Sequence, residues 1–197
     1  QTTRTMKVFE KVLWSVVLLG LLLKIFHLPF SSLFLVLGLS TLSMSYLFAG
    51  WFMFASPTRK EQDTATSILT GLALSVLVLG LLFKVQVWPF ASFYLLLSIP
   101  FTGVMLAVLI ITRRGKPELN RYYNAMTLRT APLLLAAVII YPIDERNFLD
   151  YYYSDRPGKA ALLDSIIHTD DPSLKQKLYG ELETMDRAAE EEKLSSE

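Results

Sequence analysis

The stretch that decides the architecture is GLLLKIFHLPF, Gly20 to Phe30, because it returns as GLLFKVQVWPF, Gly80 to Phe90. At this offset of 60 positions, Ser15 to Leu37 against Ser75 to Leu97 gives 12 identities in 23 aligned positions. Each copy follows an apolar run, ends it with Gly-Leu-Leu-x-Lys, turns at Pro-Phe and starts a second apolar run. Each is therefore one helical hairpin, and two such units entering from the same side make parallel repeats about an axis near the membrane normal. The repeat motif comprises Gly20, Lys24, His27 and Pro29, with Gly80, Lys84 and Pro89 in the second copy.

Outward from the repeat, the apolar runs are long enough to cross a bilayer, which takes about 20 residues for roughly 30 Å of hydrocarbon. Four spans follow: about 8 to 27, 32 to 55, 65 to 83 and 91 to 112. A fifth run, TAPLLLAAVIIYPI at 130 to 143, covers only about 21 Å at 1.5 Å per residue. It crosses if its helix starts earlier, with Arg129 snorkelling to the headgroups; otherwise it is a re-entrant or interfacial segment. The expected fold is all-α: a polytopic helical membrane protein of two parallel hairpins, a fifth transmembrane helix and a short helical soluble tail.

The segments are a first membrane hairpin (1–55), a cytoplasmic linker (56–64), a second membrane hairpin (65–112), a basic cytoplasmic segment (113–129), the fifth helix (130–143) and an acidic tail (144–197). Over 197 residues, 52% are hydrophobic and 19% charged, and the apolar ones lie mostly before residue 143. Residues 1–142 carry 12 Lys+Arg against 4 Asp+Glu, and 143–197 carry 7 against 14, so the net charge of +1 divides into +8 and −7. Basic residues cluster at the start, in the linker and after the fourth run, which puts the N-terminus in the cytoplasm. Five spans then place the tail outside the cytoplasm, in the periplasm of a bacterial inner membrane, and four keep it inside. The basic N-terminal flank lacks a small-x-small cleavage site and reads as a retained helix.

No cysteine is present, and two histidines, His27 and His168, do not make a usual zinc site. No phosphate loop, zinc-protease helix or nucleophile elbow appears, so neither a catalytic residue, a cofactor nor a metal is expected, and nucleic-acid binding is not indicated. No Asp or Glu falls in the apolar interiors of the four spans, which argues against an embedded carboxylate that relays protons or cations. Lys24 and Lys84 either stop the odd helices by snorkelling or draw an anion to the repeat interface of a small transporter or channel. His27, whose counterpart is Val87, is an interfacial polar residue or a proton handler.

Small residues recur every fourth position: Thr41, Ser45 and Ala49; Ser67, Gly71 and Ser75; Gly103 and Ala107. Such stripes let helices approach closely in lipid, either within one bundle or between subunits, a homo-oligomer included. In the tail, Tyr151, Tyr152 and Tyr153 form an aromatic belt or anchor a partner, ahead of helices at about 159–168 and 173–193, the second capped by Ser173. So few aliphatic residues bury little core alone, which favours docking of the acidic tail on a basic surface.

The unit Gly-Leu-Leu-x-Lys-x-x-His/x-x-Pro-Phe, carried by Gly20, Leu21, Lys24, His27 and Pro29 and again by Gly80, Leu81, Lys84 and Pro89, resembles the N-terminal membrane hairpin of GldL. That family belongs to the gliding-motility and type IX secretion motor of the Bacteroidota. The resemblance implies an inner-membrane complex with other membrane subunits as partners. It departs at the returning helix, where the family's motor glutamate would lie beyond Gly38 and Leu39: Ser40, Thr41 and Leu42 follow here, and the second copy reads Ser98, Ile99 and Pro100. A duplicated hairpin without that residue is expected to be a non-catalytic structural or accessory subunit.

Overall fold

The computed structural model of the chain describes residues 2–28, 30–53 and 63–195. Among these it is helical without strands, an all-α polytopic protein with helices α1 (Thr2–Ile25), α2 (Ser31–Met53), α3 (Thr64–Val85), α4 (Ala91–Gly115), α5 (Asn120–Ile140), α6 (Glu145–Tyr152), α7 (Pro157–His168) and α8 (Pro172–Ser195). Linker residues 56–62 lie outside the described residues.

Among the described residues, four stretches are long and apolar enough to cross a bilayer: Ser31–Phe48, Thr64–Val85, Ala91–Gly115 and Pro117–Ile140. α1 has comparable length, about 36 Å for its 24 residues, but carries Glu10, Lys11 and Lys24. The fifth helix differs from its apolar run. It begins at Asn120, after a 3-10 turn over Pro117–Leu119, so the basic segment is divided between the end of α4, that turn and α5 itself. Polar residues are accommodated in α5 because Tyr122, Tyr123 and Arg129 find partners on other helices.

Two compact units result: residues 1–86 with 90–142, and residues 143–197 with Val87–Pro89 of the second turn. In the first, α1 packs on α2, α2 on α3, α3 on α4, and α5 on α4 and α3. Its core is aliphatic with three buried tyrosines, and includes Leu13, Val17, Leu35, Leu42, Tyr46, Leu74, Leu77, Leu95, Leu109, Tyr122, Tyr123 and Met126. Each fully buried aliphatic side chain removes apolar surface worth about 1.5–3 kcal/mol in water. In lipid the close fit and interhelical hydrogen bonds carry the association instead.

The repeat persists in the backbone. His27 and Val87 both have φ 55°, and Phe30 and Phe90 have φ 66° and 64°, so each turn holds two non-glycine residues in the left-handed region. For Val87, which is β-branched, this is a true outlier. A Cβ on Gly20 would stand 3.0 Å from Leu35, and one on Gly80 3.0 Å from Leu95, so the same close approach closes both hairpins.

The second unit has a small core. Val87, Leu149 and Ala160 are buried together, with Phe148, Tyr152, Tyr153, Leu163 and Ile167 packed against them. α6, absent from the sequence expectation, starts at Asp144, whose carboxylate accepts from the Arg146 amide at 3.1 Å. At α8 the cap is Asp171 rather than Ser173: its carboxylate accepts from the Ser173 amide at 2.9 Å and from the Ser173 hydroxyl at 2.8 Å. A carboxylate fits a helix start better than the hydroxyl next along, because it also opposes the positive helix end.

Candidate functional site

The polar centre of the first unit joins α1, α2 and α5. Glu10 is 5% exposed and Tyr46 is fully buried. Arg129 donates from Nε to Glu10 Oε1 at 2.7 Å and from Nη2 to Oε2 at 2.9 Å, while the Tyr46 hydroxyl donates to Oε1 at 3.0 Å. Arg129 Nη1 also donates to the Ala125 carbonyl at 2.8 Å, which holds the guanidinium against its own helix. A bidentate fork of this kind fixes geometry as well as charge. Glu10 is thus a carboxylate buried among α1, α2 and α5, just ahead of the apolar run of α1. Glu10 lies in the first helix, where it looks like one of several N-terminal flanking charges, and Arg129 of α5 turns toward it.

A second polar cluster sits where the linker enters α3. Asp63 caps the helix, accepting from the Thr66 amide at 3.2 Å, and its Oδ2 accepts from the Tyr123 hydroxyl at 3.0 Å. Its backbone carbonyl accepts from the Tyr122 hydroxyl, which is also hydrogen-bonded to the Ser67 hydroxyl. Lys116 stands 3.8 Å from the carboxylate. Partial desolvation pulls the Asp63 carboxyl upward, but the hydrogen bonds from Thr66 and Tyr123 and the Lys116 charge outweigh it, so it titrates below its usual value. Two adjacent tyrosines thus tie the start of α5 to the start of α3.

The repeat lysines occupy equivalent hydrogen bonds. Lys24 Nζ donates to Ser32 Oγ at 3.2 Å and Lys84 Nζ to Ser92 Oγ at 3.1 Å, a clasp across each turn. Lys24 also donates to Gln86 Oε1 at 3.0 Å, and Gln86 Nε2 donates to the Ser32 carbonyl, which ties the two hairpins at their turns. Lys84 is 1% exposed, whereas His27 is exposed. Pro89 is exposed in its turn, and Pro29 lies outside the described residues.

Of the small-residue stripes, the one on α3 meets α2. A Cβ on Gly71 would stand 2.6 Å from the Tyr46 carbonyl and 3.2 Å from Gly50 Cα; Ser75 and Ser43 share a hydrogen bond of 3.0 Å; and Ser67 serves the Asp63 cluster. The α2 residues in this contact are Ser43, Tyr46 and Gly50, one helical step from the expected stripe. Thr41 is exposed, and Ser45 donates to the Thr41 carbonyl of its own helix. The Ala49 side chain lies outside the described residues. On α4 Gly103 has nothing within 4 Å of a Cβ and Ala107 is exposed. In the tail, Tyr151 is 46% exposed, Tyr152 is half-buried beside Phe148, and Tyr153 stacks under Lys159 Nζ at 5.4 Å. Among the described residues no group of His, Asp and Glu could hold a metal ion.

No curated protein and no solved structure matches the chain. Residues 12–64 match the family described as GldL N-terminal domain, a segment that starts two residues after Glu10 and ends at the first residue of α3. The match falls on the Gly-Leu-Leu-x-Lys hairpin itself. Residues 12–64 are thus similar to the GldL N-terminal domain, and the protein is a GldL-like helical membrane protein.

Proposed function

We propose that this chain is a non-catalytic structural subunit of a secretion- or motility-related complex in a bacterial inner membrane, with its N-terminus cytoplasmic, five spans and a periplasmic tail. The GldL N-terminal domain carries the assignment to such a complex. The structural role is supported by the interface between the hairpins. A path for a solute would need a polar stripe there, and instead Gly50 and Gly71 bring two backbones together over a buried Tyr46. The anion-transport alternative loses its motive for the same reason, since Lys24 and Lys84 are engaged in clasping the turns.

The outer faces favour unlike partners over copies of the chain. Sixty positions from the internal contact, Lys11 stands at the place of Gly71 and Ile110 at the place of Gly50. Both are exposed, and neither permits the Gly-to-Gly approach that joins α2 to α3. The hairpins therefore close on each other without repeating outward. Affinity purification of the full chain in mild detergent tests this reading. Stoichiometric recovery of other membrane subunits with one copy of this chain is expected, and a monomer without partners would overturn it.

A further inference from the structure

We propose that Glu10 determines whether α5 crosses the membrane, so that one carboxylate near the start of the chain sets the side on which the C-terminal tail lies. The inference rests on the five-span reading above.

Arg129 stands about midway along Pro117–Ile140, and only eleven residues of α5 follow it, about 16 Å of helix. That is roughly half the hydrocarbon thickness, so α5 spans only if Arg129 enters the apolar region with it. A lone guanidinium there is strongly disfavoured. Arg113, Arg114, Lys116 and Arg121 precede it and hold the same end in the cytoplasm. Without compensation α5 would lie along the inner interface, Arg129 among the headgroups, and the tail would stay on the cytoplasmic side.

Glu10 supplies the compensation. It is already placed on α1 when α5 is made, and its two oxygens take both forks of the guanidinium, while the Tyr46 hydroxyl donates to the same carboxylate. The formal charges cancel, and the buried pair presents no net charge to lipid. The other polar residues of α5 need no such help, since Tyr122 and Tyr123 bond at the Asp63 cluster near the helix start.

The chain has no cysteine, so a single Ser196→Cys reporter reads the tail cleanly. Intact cells carrying the full chain are treated with a membrane-impermeant maleimide, then permeabilised and treated again. The reporter alone is expected to label in intact cells. With Glu10→Ala added, the ratio of outside to inside label is expected to fall about tenfold or more. With Glu10→Ala and Arg129→Leu together, outside labelling returns, because the charge that needed a partner is gone. Labelling of Glu10→Ala equal to that of the reporter alone overturns the proposal, as does failure of Arg129→Leu to restore it. If Glu10→Ala is degraded, recovery of the double variant supports the proposal and its continued loss overturns it. A reporter protected in the otherwise unaltered chain removes the five-span reading itself, an outcome distinct from the others.

Discussion

Arg129 of α5 and Glu10 of α1, 119 positions apart, meet through two parallel hydrogen bonds of 2.7 and 2.9 Å with only 22% and 7% of their side chains exposed. Replacing a buried pair as a whole costs little, whereas removing one partner strands a charge and costs about 3–5 kcal/mol. Thermal unfolding in detergent is therefore expected to show a large loss for Arg129→Leu, and most of it recovered when Glu10→Leu is added. Tyr46→Phe removes one hydrogen bond to the carboxylate and is expected to cost less, about 1–3 kcal/mol. Additive single losses, with no recovery in the double variant, would show that the pair is not a unit.

Gly71→Ala and Gly103→Ala separate the close helix contact from helix propensity. Both glycines are inside apolar helices, so propensity alone predicts a gain of up to about 1 kcal/mol for either change. A methyl on Gly71 collides with the Tyr46 backbone carbonyl, which cannot move without parting α2 from α3, while a methyl on Gly103 meets nothing. Gly71→Ala is expected to lower stability by about 1–3 kcal/mol and Gly103→Ala to leave it unchanged or raise it. The readout is the unfolding midpoint of each variant in one detergent.

The repeat, the hairpins and the helical class are legible because each is written locally, in apolar runs and in turn residues at a constant offset. The α3 stripe of Ser67, Gly71 and Ser75 is legible for the same reason, since a period of four marks one face. Its α2 partner is not, because Ser43, Tyr46 and Gly50 mix small residues with a large one and break that period. Glu10 and Arg129 are illegible for a different reason. Each sits at the polar edge of an apolar run, where a charged residue needs no explanation, and the only signal that pairs them is their proximity in space. The sequence makes α5 too short for the same reason: Tyr122, Tyr123 and Arg129 read as part of a basic cytoplasmic segment, and only the fold brings Asp63 and Glu10 to receive them.

Asp63 gives the hairpin junction an acid dependence of definite sign. Its carboxyl titrates below the usual 3.8 in the folded chain, so the ionised form is favoured by folding. The stabilisation is fully present above about pH 4 and is lost as pH falls through the lower, folded value. Melting curves in detergent between about pH 2 and 5 are expected to fall more steeply for the unaltered chain than for Asp63→Asn, whose junction no longer titrates. At neutral pH Asp63→Asn is expected to be the less stable of the two, having lost the carboxylate that Lys116 faces and that the Tyr123 hydroxyl donates to. Parallel curves over that range would remove Asp63 from the acid response.

The three tail tyrosines divide into two roles. Tyr152 and Tyr153 pack against the Leu149 and Ala160 core, so replacing either by serine opens a cavity and removes apolar contacts. Losses of about 2–4 kcal/mol are expected in the unfolding of the tail, by analogy with other large-to-small changes in a core. Tyr151 is 46% exposed, with an edge contact to the Tyr152 ring at 6.0 Å. Tyr151→Ser is therefore expected to leave tail unfolding within about 0.5 kcal/mol of its starting value. If the tail contacts another subunit through this helix, the same variant speeds dissociation of the purified complex, since an exposed aromatic that becomes buried on binding acts mainly on the off-rate. Salt then acts mainly on association, through the tail's net charge of −7. Dissociation that is unchanged in Tyr151→Ser but faster in Tyr152→Ser would mean that the intact fold of the tail, and not its exposed tyrosine, is what the complex requires.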